Sequence, residues 1–130
     1  MTAGVVLDAS AVLAMVRGEP GGERVAGVIA GARMSAVNLA EVVSYLTHAG
    51  VPTPDIAEML TPLPLAVIDA DSDLAWRAGR LRKATAAAGL SLGDRFCLAL
   101  AMRDGMTAWT ADRRWRNIAP QIEAEIVVIR

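Results

Sequence analysis

The chain has 130 residues, of which 54% are apolar and 21% charged, and its formal net charge is −1. That length suits one domain over residues 1–130, because folding removes roughly two-thirds of the surface that an unfolded chain of this size exposes. No uninterrupted apolar run reaches the roughly 18 residues of a membrane span, and near-neutral charge gives no global attraction to polyanions and weakens the case for nonspecific nucleic-acid capture by a basic surface.

Met1-Thr2-Ala3-Gly4 carries no basic segment, and Asp8 interrupts the apolar run that follows, so no secretory signal is expected and the chain is expected in the cytosol. Gly4 to Leu7 reads as a short buried strand. Ala9 to Val16 reads as a helix stopped by Gly18, Pro20, Gly21 and Gly22. A second helix is predicted over Glu23 to Ala32, a brief strand over Arg33 to Ser35, and a third helix from Val37 to Ala49, ended by Gly50 and Pro52. Asp55 to Leu60 makes a short helix, and Pro62 and Pro64 lead into a strand from Leu65 to Ile68. Asp71 or Ser72 caps a helix predicted to run to about Ala88, where Gly89 stops it. Ser91 opens another, Leu92 to Met102, apolar on most sides and therefore expected to be buried. Strands at Met106 to Thr110 and Ile126 to Ile129 complete the set. Short strands alternating with helices predict an α/β fold, a parallel sheet covered on both faces.

Four acids stand out against this pattern. Asp8 and Asp112 each follow a strand, and in open parallel sheets ligands bind beyond the carboxyl ends of the strands. Asp94 begins its helix, where the dipole favours an anion, and Glu41 projects away from the apolar stripe of Leu39, Val42, Val43 and Leu46. Each acid also has an ordinary structural reading. Asp8 can cap the helix at Ala9, Asp94 can complete a capping box with Ser91, Asp112 can open a turn, and Glu41 can sit on a solvated face. If the four converge, their repulsion demands either protons or a cation, and the scarcity of lysine, Lys83 alone, favours the cation. An all-oxygen site suits Mg2+ or Mn2+. Zinc would want His and Cys, and His48 and Cys97 are each solitary.

Other chemistries fail on residues. Asp69, Asp71 and Asp73 mimic a calcium loop, but Leu74 stands where its glycine belongs and Arg80 where its glutamate belongs. Ser10 has no histidine to activate it, and no phosphate-cradling glycine motif occurs. His48, at a helix end beside Gly50, reads as a cap facing the dipole. Cys97 lies among Phe96, Leu98 and Leu100 and reads as a buried small apolar group. Arg77, Arg80, Arg82 and Lys83 read as a solvated helix face, whereas Arg113, Arg114 and Arg116 directly follow Asp112, within reach of a phosphate bound there.

Four segments in order, Val6-Leu7-Asp8-Ala9-Ser10, Asn38-Leu39-Ala40-Glu41, Gly89-Leu90-Ser91-Leu92-Gly93-Asp94 and Thr110-Ala111-Asp112-Arg113-Arg114-Trp115, give the chain a resemblance to PIN-domain ribonucleases, specifically VapC-type toxins of toxin-antitoxin pairs. The resemblance implies a three-layer α/β/α domain with a parallel sheet of four or five strands and an acidic pocket for one or two Mg2+ or Mn2+ ions. Asp8, Glu41, Asp94 and Asp112 match its metal positions. Ser10, Asn38 and Thr110 match polar neighbours that support them, and Arg113, Arg114 or Arg116 is expected to meet an RNA phosphate. It also implies hydrolysis of RNA phosphodiesters, a small antitoxin partner seated on an apolar groove, and a homodimer. Trp76, Trp109 and Trp115 are candidates for such surfaces or for the core. A catalytically inactive binding module and a metal-dependent small-molecule phosphatase are the alternatives.

Overall fold

The computed structural model describes residues 4–130, so Met1 to Ala3, used above for the targeting argument, lie outside the described residues. In chain order the elements are β1 (Val5–Leu7), α1 (Ala9–Arg17), α2 (Gly22–Ala26), β2 (Arg33–Ser35), α3 (Ala36–His48), α4 (Thr53–Leu60) and β3 (Ala66–Ile68). Then follow α5 (Ser72–Arg80), α6 (Arg82–Thr85), α7 (Leu92–Asp104), β4 (Thr107–Thr110), two 3-10 turns (Arg113–Asn117 and Ala119–Gln121) and β5 (Ile126–Val128). The five strands form one sheet in the order β3-β2-β1-β4-β5, and every neighbouring pair is parallel. This is the expected α/β/α arrangement.

Period-two alternation in β1 splits the core into two halves. Val6 faces one apolar cluster with Leu74 and Ala78 of α5, Phe96 to Ala101 of α7, Ala108 and Trp115. Leu7 faces the other, with Ala11 and Val12 of α1, Val25 of α2, Met34, Val42 and Leu46 of α3, and Ile56 of α4. A central strand buried on both sides has to be apolar at every position, which is why Val-Val-Leu carries no alternation of its own. The sequence of α7 follows the same logic, for its residues 95 to 101 are all buried, Arg95 included.

Three differences from the sequence reading stand out. Helix α2 stops at Ala26, six residues before the predicted end. Gly27 caps it, Val28 N–H turns back to the Val25 carbonyl, and Gly31, at φ 77°, donates to Pro64 O at the start of the β3 strand path. The long helix predicted up to Ala88 is broken at Leu81, whose N–H donates to Ala78 O three residues back, so the helical repeat is offset before α6 begins. Of the 3-10 turns after β4, the first is the turn that Asp112 was read to open, and the second carried no periodic signal and was not anticipated. Close packing of α1 on α2 depends on Gly22, where a Cβ would collide with the Ala14 carbonyl.

The tryptophans divide as the two-sided reading allowed. Trp115 is fully buried, Trp109 is half-buried beneath the Arg24 guanidinium at 5.5 Å, and Trp76 is 73% exposed on α5. Leu98→Ala, at a fully buried position of α7, is expected to lower the unfolding free energy by about 2–5 kcal/mol, while Trp76→Ala should change it by less than about 0.5 kcal/mol. Urea denaturation of the two variants beside the parent checks both values.

Candidate active site

The strand order reverses direction between β1 and β4: the chain builds outward from β1 through β2 to β3, then crosses back to lay β4 and β5 on the other side. At such a switch point the loops leaving adjacent strands diverge and open a crevice at the carboxyl edge of the sheet. Asp8 leaves β1 there and Asp112 leaves β4 two residues past its end. Helices α3 and α7 begin on the same edge, bringing Glu41 and Asp94. All four acids line one cavity of about 250 Å3, together with Ser10, Leu13 and Tyr45.

Asp8 is 3% exposed and is surrounded by hydrogen-bond donors. Ala11 N–H donates to Oδ1 at 2.8 Å, so the residue caps α1 as its position suggested. Thr110 Oγ1 donates to Oδ2 at 2.6 Å, and Ser10 Oγ lies 2.8 and 3.0 Å from the two carboxylate oxygens. Both hydroxyls are themselves held by backbone: Ser10 Oγ accepts from Ala111 N–H at 2.9 Å and Thr110 Oγ1 from Asp112 N–H at 3.0 Å. Each hydroxyl has one proton, and with its own oxygen occupied as an acceptor it points that proton at Asp8. The surroundings are thus arranged for the anion. Burial nevertheless outweighs these bonds and, with the nearby Asp94 charge, pushes the Asp8 carboxyl up to about 7.

The other three acids are held separately. Asn38 Nδ2 donates to Glu41 Oε1 at 2.8 Å and to Gly93 O at 3.0 Å, tying α3 to the start of α7. The Glu41 carboxyl is also raised, first by burial and further by Asp94. It rests against Gly93, where a Cβ would collide with its carboxylate. Asp94 completes the capping box, with Ser91 N–H donating to Oδ2 at 2.8 Å and Asp94 N–H donating to Ser91 Oγ at 3.2 Å. Asp112 caps the following 3-10 turn through Arg114 N–H and receives the Arg114 side chain as well, Nη2 to Oδ2 at 2.6 Å. That guanidinium holds the Asp112 carboxyl below its usual range.

Every ordinary structural reading of the three aspartates is therefore realised, and all four acids still meet at one cavity. Ser10, Asn38 and Thr110 take the supporting positions expected of them. Of the three arginines, Arg114 is engaged on Asp112, Arg113 Nε donates to Arg130 O at 3.2 Å, and Arg116 is exposed. Sequence reasoning did not assign functional roles to Gly93 and Tyr45. Gly93 lies inside a segment otherwise read for its acid and its cap, and only a close approach in space marks it. Tyr45 lies one turn after Glu41 on α3, so the i, i+4 spacing was the available signal. Its ring sits beneath the Arg17 guanidinium at 4.9 Å.

An oxygen-rich donor set of this kind fits a hard divalent ion, and the unbalanced burial of Asp8 is the charge that such an ion would offset. In their present conformations no three His, Cys, Asp or Glu side chains among the described residues form a ready ligand shell. Each acid is instead drawn to its own donor. Cys97, one turn beyond Asp94, is fully buried, and burial followed by the charges of Asp8, Asp94 and Glu41 pushes its thiol well up, which removes it as a ligand or nucleophile.

Residues 5–120 match the PIN domain family model, and the chain belongs to that family. No curated protein matches it significantly. Solved structures share the fold at low identity. VapC20 of Mycobacterium tuberculosis, described as a sarcin-ricin loop cleaving toxin, is similar at TM-score 0.74 and 17% identity, over 89% of this chain and 95% of that one. The DNA-bound VapBC of Salmonella typhimurium gives 0.72 at 20% identity, and a toxin-antitoxin complex from Klebsiella pneumoniae gives 0.72 at 16%, each over 98% of both chains.

Two outcomes follow from this geometry. Asp8 has an unfolded value of 3.8 and a folded value near 7, so the stability it contributes is complete below about pH 4 and is lost as pH rises through 7. In EDTA, Asp8→Asn should therefore gain on the parent as pH rises from about 4 to 8, by up to about 4 kcal/mol in unfolding free energy. A difference independent of pH in denaturant titrations would contradict this. Gly93→Ala should destabilise the protein while Glu41 is present, yet in a Glu41→Ala background the same change should stabilise it by about 1 kcal/mol through helix propensity. A double-mutant cycle by thermal unfolding reads the reversal of sign.

Proposed function

We propose that this chain, as one domain over residues 1–130, is a divalent-metal-dependent endoribonuclease that hydrolyses RNA phosphodiester bonds and serves as the toxin of a toxin-antitoxin pair. The convergence of acids from four separate elements on one switch-point cavity carries this reading, and family membership supports it. Asp8, Asp94 and Asp112 would hold Mg2+ or Mn2+, with Glu41 beside them. A bound ion supplies water of lowered pKa and charge to balance the phosphorane-like oxygens.

The chain's own residues do the rest. Ser10 and Thr110 keep both Asp8 oxygens aimed and favour the charged form against the larger effect of burial. Asn38 fixes Glu41 through Oε1, leaving Oε2 to receive a proton from the attacking water. The raised Glu41 carboxyl is better suited to that step near neutral pH than an ordinary glutamate. Tyr45, 46% exposed at the cavity wall, offers a face on which a flanking base can stack, and Arg113, Arg114 and Arg116 follow Asp112 as a run of positive charge. The similarity to VapC20, a sarcin-ricin loop cleaving toxin, supports RNA over small phosphate esters as substrate.

The antitoxin partner is supported by an apolar groove of about 390 Å3 between α3, α4 and β3, lined by Val42, Val43, Ile56, Leu60, Leu65 and Val67, and by the neighbours described as toxin-antitoxin complexes. A homodimer is proposed from the exposed Trp76 face of α5. No helix among the described residues is long and apolar enough to cross a membrane. A cytoplasmic site of action is part of the proposal.

Asp8→Asn should keep its circular dichroism spectrum and lose at least about a hundredfold of Mg2+-dependent RNA cleavage. The parent preparation must lose activity in EDTA and regain it with Mn2+. Unchanged cleavage by the variant removes the assignment.

A further inference from the structure

Arg114 differs from the other basic residues in bridging a cavity-lining acid, Asp112, and the turn at Gly89. Its Nε lies 3.1 and 3.0 Å from the two Asp112 oxygens, its Nη2 lies 2.6 Å from Oδ2, and its Nη1 donates to Gly89 O at 3.1 Å. Gly89 belongs to the turn that leads into α7 and Asp94, so one side chain bridges the segments bearing two of the four acids. A carboxylate offers about four lone-pair directions. On Asp112 the Arg114 side chain and backbone N–H already occupy most of them.

The contrast with Asp8 is in what would have to move. Donors to Asp8 are short hydroxyls and a backbone N–H fixed in the fold, whereas the Arg114 side chain is 55% exposed on a flexible stem. An exposed ion pair of this type shifts an equilibrium by only about fivefold at most, so a divalent ion can displace it. After displacement the guanidinium stays tethered two residues from Asp112, with a planar fork suited to two phosphate oxygens.

We propose that Arg114 is an internal competitor for the metal ion, holding the Asp112 carboxylate in the ion-free protein, yielding it when a divalent cation binds, and then engaging an RNA phosphate. This rests on the cavity being a metal site. It makes metal binding and RNA binding sequential uses of one guanidinium, and it explains how the ion-free protein tolerates Asp112 beside three other acids.

The test is calorimetric titration of Mn2+ into the parent, Arg114→Gln and Arg114→Lys, without RNA, at low and high ionic strength. The expected result is Mn2+ binding that tightens about two- to fivefold in Arg114→Gln, with a smaller gain in Arg114→Lys and a difference that shrinks as salt rises. A merely structural role would loosen the ion instead. Parent binding with no tightening in Arg114→Gln overturns the competition and leaves the site assignment standing, whereas a parent that binds no Mn2+ at millimolar concentration overturns both. Should the glutamine variant unfold, Arg114→Lys alone decides by the same sign. In RNA cleavage Arg114→Gln is expected to lower kcat/KM despite its tighter ion, and faster cleavage would overturn the phosphate contact.

Discussion

The structure turns on a carboxylate buried at the one place where the sheet changes direction. Asp8 cannot be moved outward without uncapping α1, and it cannot be solvated without separating β1 from β4, since Thr110 at the end of β4 supplies one of its donors. The parallel register of β1 with β4, Leu7 opposite Trp109, sets that distance. Hydrophobic packing on both faces of β1 fixes the register in turn. The energy of the core is thereby used to hold an anion where an isolated one would not stay, and the cost shows as a carboxyl that titrates near neutrality.

The aspartates also do two jobs each, which explains why so short a chain can carry a cluster of acids. Asp8 caps α1, Asp94 completes the box at the head of α7, and Asp112 caps a 3-10 turn. These positions lie at helix or turn starts, where free N–H groups lower the cost of negative charge. Repulsion between the acids is then resisted locally, by donors belonging to each segment, before any external cation contributes. Glu41 is the exception. It comes from the second turn of α3 and depends on Asn38 and on the missing side chain at Gly93.

Much of this was legible in the sequence because the signals are local. The five strands stand where short apolar runs and turn residues put them, and the acids at strand ends and caps follow from residue type and position. The same locality explains what was not legible. The break at Leu81 comes from a three-residue hydrogen-bond step within a segment whose composition reads as continuous helix, and the early end of α2 depends on Gly31 meeting Pro64, a contact across 33 positions. Strand order is likewise nonlocal: the spacing of elements predicts a parallel sheet, but nothing in it places β4 rather than β3 beside β1. Gly93 belongs to this class, since only the folded structure reveals that Glu41 lies against it. The engagement of Arg114 with Asp112 lay within two residues and was readable, yet sequence spacing suited a phosphate contact equally well.

Cys97 has a consequence of its own. A thiol reacts with oxidants and alkylating agents as its thiolate, and here burial and three neighbouring acids disfavour that form. The lone sulfur is thereby passivated by the same charges that define the cavity. Oxygen donors set around an inert sulfur leave this cavity without a group that oxidants readily attack.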